Sequence, residues 1–321
     1  MMIFCFLILQ ADQAWKTLFF TRFKIIGKMK TKKMMKKKKM KKMIGLFILK
    51  SQQKMRYRKK LFTDSTGYMR NRMIKIGNCG WSYLNAQDFF GTGWKERFRT
   101  KLQAYVSLFD TVEINSTFYR LPKTETAKKW REEADEINPD FEFTVKVSQI
   151  ITHFDRFSSE KSLFAFKQIE KTAEALRAKV LLFQSPASFK PSEKNIEKVK
   201  RFFENIERRF LFAWEVRWER DWNKETVSSL FSELKITHCV DPLRQECFHS
   251  EKMVYYRLHG FGKPSMYNYS FSEQEIQNIK EKIVSQNKPV YVFFNNADCY
   301  KNALELRKIT ETNIETVNLR Q

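Results

Sequence analysis

The chain has 321 residues, with 60 Lys and Arg against 36 Asp and Glu, a formal net charge of +24. Taken whole, that excess suggests a polyanion partner, but its location excludes this reading for most of the chain. Residues 1–72 hold 21 Lys and Arg and only Asp12 and Asp64, a balance of 21 − 2 = +19, which leaves 39 − 34 = +5 for residues 73–321.

The same first 72 residues contain nine of the twelve Met, the run Lys36–Lys39 and no Pro, whereas all four His and all seven Pro lie beyond Met73. The apolar runs Met1–Leu9 and Met43–Leu49 are shorter than the roughly 20 residues a bilayer requires, and neither sits in a signal peptide with a basic start and a small-residue cleavage site. The expectation is therefore no membrane span, no secretion, a non-domain leader over 1–72 and one domain over 73–321. Three origins for the leader compete: an A/T-rich stretch translated from upstream of the true start, which is favoured, a basic organelle-targeting segment, or a polybasic arm for nucleic acid or an anionic membrane. Five cysteines without paired short spacing imply reduced thiols in the cytoplasm.

From Met73 onward, short apolar, β-branched or aromatic runs predict strands at Ile74–Trp81, Thr111–Asn115, Glu142–Val147, Val180–Gln184, Leu211–Val216, Ile236–Asp241, Met253–Gly260 and Val290–Asn296. Amphipathic segments predict helices between most of them, at Arg97–Leu108, Thr124–Glu136, Lys161–Ala178, Glu193–Arg209, Lys224–Leu234 and Ser272–Val284, with Asn302–Ile309 closing the chain. Thr124 and Ser192 are the expected helix-opening caps at two of these. Strands alternating with helices imply a parallel sheet, and eight such units in about 250 residues is the size of a closed β/α barrel. The stretch between Asp241 and Met253 is too short for a helix, so the sixth unit is expected to be irregular. Gly77-Asn78-Cys79-Gly80-Trp81 lacks the glycine spacing of a dinucleotide turn, and no cofactor motif is found.

In such a barrel the chemistry sits at the C-terminal strand ends, and the period-2 alternation shows which side chains share a face. Glu113 and Asn115 share one face of the second strand, Glu215 and Arg217 one face of the fifth, and Tyr255, Arg257 and His259 one face of the seventh. Lys146 ends the third, Asp241 the sixth, and Asn295-Asn296 the eighth. Charges within apolar strands are costly unless paired or wetted, so they should converge on the mouth. The bland alternative is an ion-pair network that plugs the barrel.

The segments Ile76–Tyr83 and Phe109–Pro122, which includes Val112-Glu113-Ile114-Asn115-Ser116-Thr117-Phe118-Tyr119, resemble the YecE-like family, domain-of-unknown-function family 72. Further matches are Phe143–Val147 with Ile151-Thr152-His153, Ala213–Arg217, Tyr256–Gly260 and Val292–Asn296. The resemblance spans residues 74–306 and implies a TIM-like barrel with no assigned activity. Cys79 stands where the family more often has Ser, and no His lies near it in sequence, so a thiol nucleophile is disfavoured.

The leading functional expectation is an enzyme, hydrolase-like, acting on an anionic substrate, phosphorylated or nucleotide-like. Glu113, Glu215 and His259 are its candidate acid/base groups. Arg120, Lys146, Arg217 and Arg257 supply positive charge, and the loop Gly260-Phe261-Gly262-Lys263 falls where barrels often bind phosphate. Asn115, Tyr119, His153, Asp241, Asn295 and Asn296 complete the expected lining, with a small anionic ligand as partner. A metal-dependent phosphodiesterase or repair-like enzyme is the second reading, with Glu113, Glu215, Asp241 and His259 as ligands, although Arg217 and Arg257 beside them would repel a cation, so no essential metal is expected. His238-Cys239 with Cys247-x-His249 mimics a zinc spacing, but adjacent strand residues point to opposite faces. The third reading is a non-enzymatic barrel that binds nucleic acid or protein through basic surface and the loop aromatics Trp81, Tyr83, Phe89, Phe90, Trp94, Phe118, Tyr119, Trp218, Trp222, Tyr267 and Tyr269, against the bland alternative that most of these pack the loops onto the barrel rim.

Overall fold

A computed structural model describes residues 74–217 and 221–318, with side chains described up to residue 311. The leader over 1–72 and Trp218 lie outside the described residues. Every predicted strand is present: β1 (Ile74–Asn78), β2 (Thr111–Ile114), β3 (Glu142–Lys146), β4 (Val180–Gln184), β5 (Leu211–Glu215), β6 (Ile236–His238), β7 (Val254–Leu258) and β8 (Val290–Phe294). They form one parallel sheet in the order β6-β5-β4-β3-β2-β1-β8-β7. A single parallel bridge, Val240 to Tyr256, joins its two ends, with Arg257 N–H on the Val240 carbonyl at 3.0 Å. The barrel is therefore nearly closed, and its seam lies beside the short β6.

Helices follow the strands: α1 (Ala86–Phe90), α2 (Trp94–Arg97), α3 (Lys101–Leu108), α4 (Thr124–Asp135), α5 (Glu160–Leu176), α6 (Glu193–Glu204), α7 (Lys224–Glu233), α8 (Glu273–Val284) and α9 (Cys299–Asn318). Ser192 caps α6 as expected, its side chain accepting from Asn195 N–H. Two differences have local causes. The helix expected over 97–108 breaks because Phe98 is extended and Thr100, also extended, caps a new helix by accepting from Gln103 N–H. Thr124 is the first helical residue rather than the cap, and Lys123 before it offers no side-chain acceptor. The sixth unit has no helix between β6 and β7: the loop doubles back so that His249 carbonyl accepts His238 N–H at 2.8 Å.

The strand alternation divides the barrel into two cores. Outward residues such as Phe183, Phe212 and Trp214 pack under α5–α7 against Phe157, Phe166, Phe202 and Phe203, all buried. Each such ring removed from water contributes about 1.5–3 kcal/mol. Inward residues Val180, Leu182, Ala213, Cys239, Met253, Tyr255, Tyr291 and Phe293 fill the lower barrel. An apolar plug below leaves the polar inward residues at the upper strand ends as the lining of the mouth. Among the described residues no helix is long and apolar enough to cross a membrane.

Candidate functional site

Arg257 stands at the centre of the mouth, 1% exposed. Its Nε donates to Glu113 Oε2 at 3.0 Å and its Nη2 to Glu113 Oε1 at 2.9 Å, while Nη1 pairs with Glu215 Oε2. Tyr255 Oη also donates to Glu113 Oε2, at 2.8 Å, and accepts from Thr144 Oγ1 at 2.9 Å. Glu113 is fully buried and engaged by three donors. It lies below the cleft and holds the guanidinium in one plane.

Glu215 sits on the other side of Arg257. Its Oε1 accepts from Gln184 Nε2 at 2.8 Å and from Arg217 Nη2 at 2.7 Å, and lies 3.3 Å from His259 Nε2. Burial pushes this carboxyl up, but Arg257, His259 and Arg217 outweigh burial and hold it well below the usual range. It is an anion at neutral pH. Asn295 Nδ2 approaches His259 Nδ1 at 3.3 Å, so with the amide donating, the ring proton lies on Nε2, 3.3 Å from Glu215 Oε1 though not in hydrogen-bond geometry with it.

Lys146 is different. It is buried, its ammonium lies 4.0 Å over the Phe118 ring, and no carboxylate among the described residues pairs with it. Burial and the neighbouring Arg257 bring its pKa down to about 8, against the opposing pull of Glu113 and Glu215. Among the described residues, the cations Arg217, Arg257 and Lys146 share the mouth with the carboxylates Glu113 and Glu215.

Above this floor opens a cleft of about 1230 Å³. Of the residues expected from the sequence, Asn115, Tyr119, Lys146, Arg257, Asn295 and Asn296 line it. Glu113, Glu215, Arg217 and His259 form the charged layer with Arg257. His153 stands on a π-helical turn (Ile150–Phe154), its ring edge-on to Phe118 at 4.9 Å and its Nδ1 2.8 Å from Thr152 Oγ1. Burial, Lys146 and Arg217 lower its pKa to about 4, so it is neutral at pH 7.

The remaining expected residues lie elsewhere. Arg120 is exposed and does not line the cleft. Asp241 is spent on backbone, accepting from Leu243 N–H at 3.0 Å and His259 N–H at 3.3 Å. None of Gly260–Lys263 lines the cleft. Gly262 N–H goes to Met266 carbonyl at 3.3 Å, and Arg244 donates to the Gly260 carbonyl. A Cβ on Gly260, whose φ is +86°, would lie 2.4 Å from Tyr269 Cβ, so the glycines serve tight folding of this loop on itself. The sequence reading overlooked Gln184, the inward residue that ends β4, and Trp130 on α4, both of which line the cleft. Period-2 alternation along Val180–Gln184 was the available signal for Gln184; Trp130 carried none.

Among the described residues no three His, Cys, Asp or Glu side chains come together to hold a metal ion. Glu113 and Glu215 face a guanidinium instead, and His238 Nδ1 accepts Phe248 N–H at 3.2 Å within its loop. Cys79 Sγ lies 3.7 Å from Arg257 Nη2, but burial and the Glu113 charge push its thiol up, so it is not a thiolate.

The model of the family described as protein of unknown function DUF72 matches residues 75–321. The chain belongs to this family. UPF0759 protein YunF of Bacillus subtilis is 28% identical to this DUF72 chain over 281 residues, covering 74% of the chain and 95% of that protein. The crystal structure of a DUF72 protein from Thermotoga maritima, 28% identical, superposes with a TM-score of 0.59 over 74% of this chain and 99% of that one. A DUF72 structure from Enterococcus faecalis, 22% identical, has a TM-score of 0.57 over 74% of this chain and 97% of its own, and shows the same fold. The charged mouth described above is thus carried on the DUF72 barrel.

Proposed function

We propose that the barrel mouth is an active site for an anionic substrate and works by proton transfer. The observation that carries this reading is Lys146: a buried side chain on the cleft floor, beside Arg257, whose ammonium has no carboxylate partner among the described residues. Holding an ammonium in so shielded a place beside Arg257, with Glu113 and Glu215 pulling the other way but not in contact, is costly, and a bound phosphate or carboxylate would relieve that cost. Arg257, fixed in plane by Glu113, presents the mouth with a directed cation beside it. His259 is the proton-transfer group, with Glu215 as the anion that stabilises its imidazolium. Glu113 serves as a positioning residue, since three donors saturate its carboxylate. The described cysteines are all free thiols, which suits a reducing compartment such as the cytoplasm.

The test uses the full chain. Inorganic phosphate and a panel of phosphomonoesters and phosphodiesters are titrated calorimetrically, and the panel is screened for turnover. Lys146→Met is expected to weaken anion binding at least about tenfold, the loss of one buried charge-assisted contact. His259→Asn is expected to retain binding and lose turnover. Phosphate binding unchanged in Lys146→Met would overturn the anion site, and turnover unchanged in His259→Asn would overturn the proton-transfer role.

A further inference from the structure

The cleft is lined unevenly. Taken in sheet order, β7, β8, β1, β2 and β3 and the segments that follow them supply almost all of its lining, and β4 contributes Gln184. Lys146 and Arg257 occupy the floor. The wall above β1 and β2 is aromatic. Trp81 and Trp130 meet edge to face at 5.0 Å, both only half-buried. Tyr83 and Tyr119, from the two adjacent loops, are 91% and 74% exposed.

Trp81 and Trp130 pack one side against the core, Trp81 also meeting the buried Phe143 at 6.4 Å, and leave the other side to the cleft, whereas the two tyrosines stand in solvent. The buried Trp214 and Trp222 give their indole N–H groups to Ser185 Oγ and Phe189 carbonyl, whereas those of Trp81 and Trp130 have no acceptor among the described residues. Exposed aromatic rings gathered at one cleft are the surface of a binding site rather than of a core.

A second observation points the same way. Asn296 lines the cleft and is 6% exposed. Its Nδ2 donates to Tyr269 carbonyl at 2.8 Å and to Asn302 Oδ1 at 2.9 Å, which fixes the amide, and its Oδ1 is left buried without a donor. Asn115 Oδ1, on the β2 side of the cleft, is likewise buried and unpartnered. A ligand that satisfies these groups must bring N–H or O–H donors to two unpartnered amide oxygens, of which that of Asn296 is held in place by its own amide's hydrogen bonds.

We propose that the cleft binds a nucleotide, its planar base against the aromatic wall of Trp81, Tyr83, Tyr119 and Trp130 and its phosphate on Lys146 and Arg257. This rests on the anionic reading above and names the substrate class for the same site. Base stacking on Trp or Tyr tolerates any base, while the amino and ring N–H groups of a base edge are the donors that the asparagine oxygens lack. The cleft of about 1230 Å³ exceeds the roughly 300–1,000 Å³ usual for ligand sites and so has room for a base and sugar beside the phosphate.

The experiment titrates the full chain with the four common nucleoside 5′-monophosphates, with ribose 5-phosphate and with adenosine, following heat and tryptophan fluorescence. At least one nucleotide is expected to bind about tenfold or more tightly than ribose 5-phosphate, with quenching of indole emission. Tyr119→Ala and Tyr83→Ala, at exposed positions that leave folding intact, are expected to weaken nucleotide binding about tenfold while ribose 5-phosphate binding stays the same. Ribose 5-phosphate binding as tightly as every nucleotide would overturn the base site and leave the anion site standing. Adenosine binding as tightly as its monophosphate would support the base site and remove the anion site. Binding of none of these probes would overturn both.

Discussion

Arg257 and Glu113 face each other across the barrel as a two-point pair, Nε to Oε2 at 3.0 Å and Nη2 to Oε1 at 2.9 Å, with both side chains at 1% exposure or less. Two parallel bonds set both the position and the plane of the guanidinium. Breaking one partner of a buried pair leaves the other charge uncompensated, which costs about 3–5 kcal/mol. Glu215 remains on Arg257, so Glu113→Gln is expected at the lower end, about 3 kcal/mol less stable in urea melts. Tyr255→Phe removes one of the three donors to Glu113 and should cost about 1 kcal/mol. Equal, small effects from both changes would contradict a positioning role for Glu113.

The second carboxylate should reveal itself through pH. Glu215 has a folded-state pKa held well below the ordinary value, because Arg257, His259 and Arg217 outweigh the effect of burial. A depressed carboxyl contributes stability that is fully present above its unfolded value of about 4.3 and lost as pH falls through the folded value. The wild-type chain is therefore expected to lose stability steeply below about pH 4. Glu215→Gln should be less stable at pH 7 and show a shallower decline in acid. Urea melts between pH 3 and pH 7 separate the two profiles, and parallel curves would show that Glu215 is not coupled to the cations around it.

How much of this was legible before the fold was known depends on the range of the interaction. Strand positions and facing follow from local alternation, and Glu113, Glu215, Arg257 and His259 come together because i and i+2 positions on separate strands all point inward. Which of them meets the ligand is a long-range matter. That Tyr255 and Arg257 saturate Glu113 depends on contacts 142 and 144 residues apart in sequence. The Gly260–Lys263 loop has the composition of a phosphate cradle, yet its glycines are required by Tyr269 and Asn268, which no local pattern shows to be neighbours. Trp130 sits on a helix that reads as ordinarily amphipathic, and only the packing of α4 between α3 and α5 brings it to Trp81 in the loop after β1.

The described barrel carries its own two cores and all eight strands between Ile74 and Phe294. A chain begun at Met73 is therefore expected to fold cooperatively and remain in solution without residues 1–72. Circular dichroism and thermal melting of the two forms should give midpoints within a few degrees. A shortened chain that melts without a transition would mean that the first 72 residues contribute to the fold. Mass spectrometry of the native N-terminus then tells whether they are present at all.

Lys146 should show the reverse pH behaviour to Glu215. Its folded-state pKa is lowered to about 8 from an ordinary 10.5, first by burial and then by Arg257. For a base, a lowered folded value is a penalty: the unfolded chain holds the proton more tightly. The penalty is fully present below about pH 8 and is relieved as pH rises through about 10.5, above which both states are neutral. A shift of this size corresponds to about 3 kcal/mol at most, reduced by the loss of the contact with the Phe118 ring. Lys146→Met, which keeps the stem and removes the charge, is accordingly expected to raise the melting temperature at pH 7 and to give a much smaller gain near pH 10. Bound phosphate should stabilise the wild type at pH 7 and have little effect on the variant, because the anion and the substitution remove the same penalty. A variant that is less stable at pH 7 would show that Lys146 is already compensated within the fold, and would leave the mouth without its reason to take an anion.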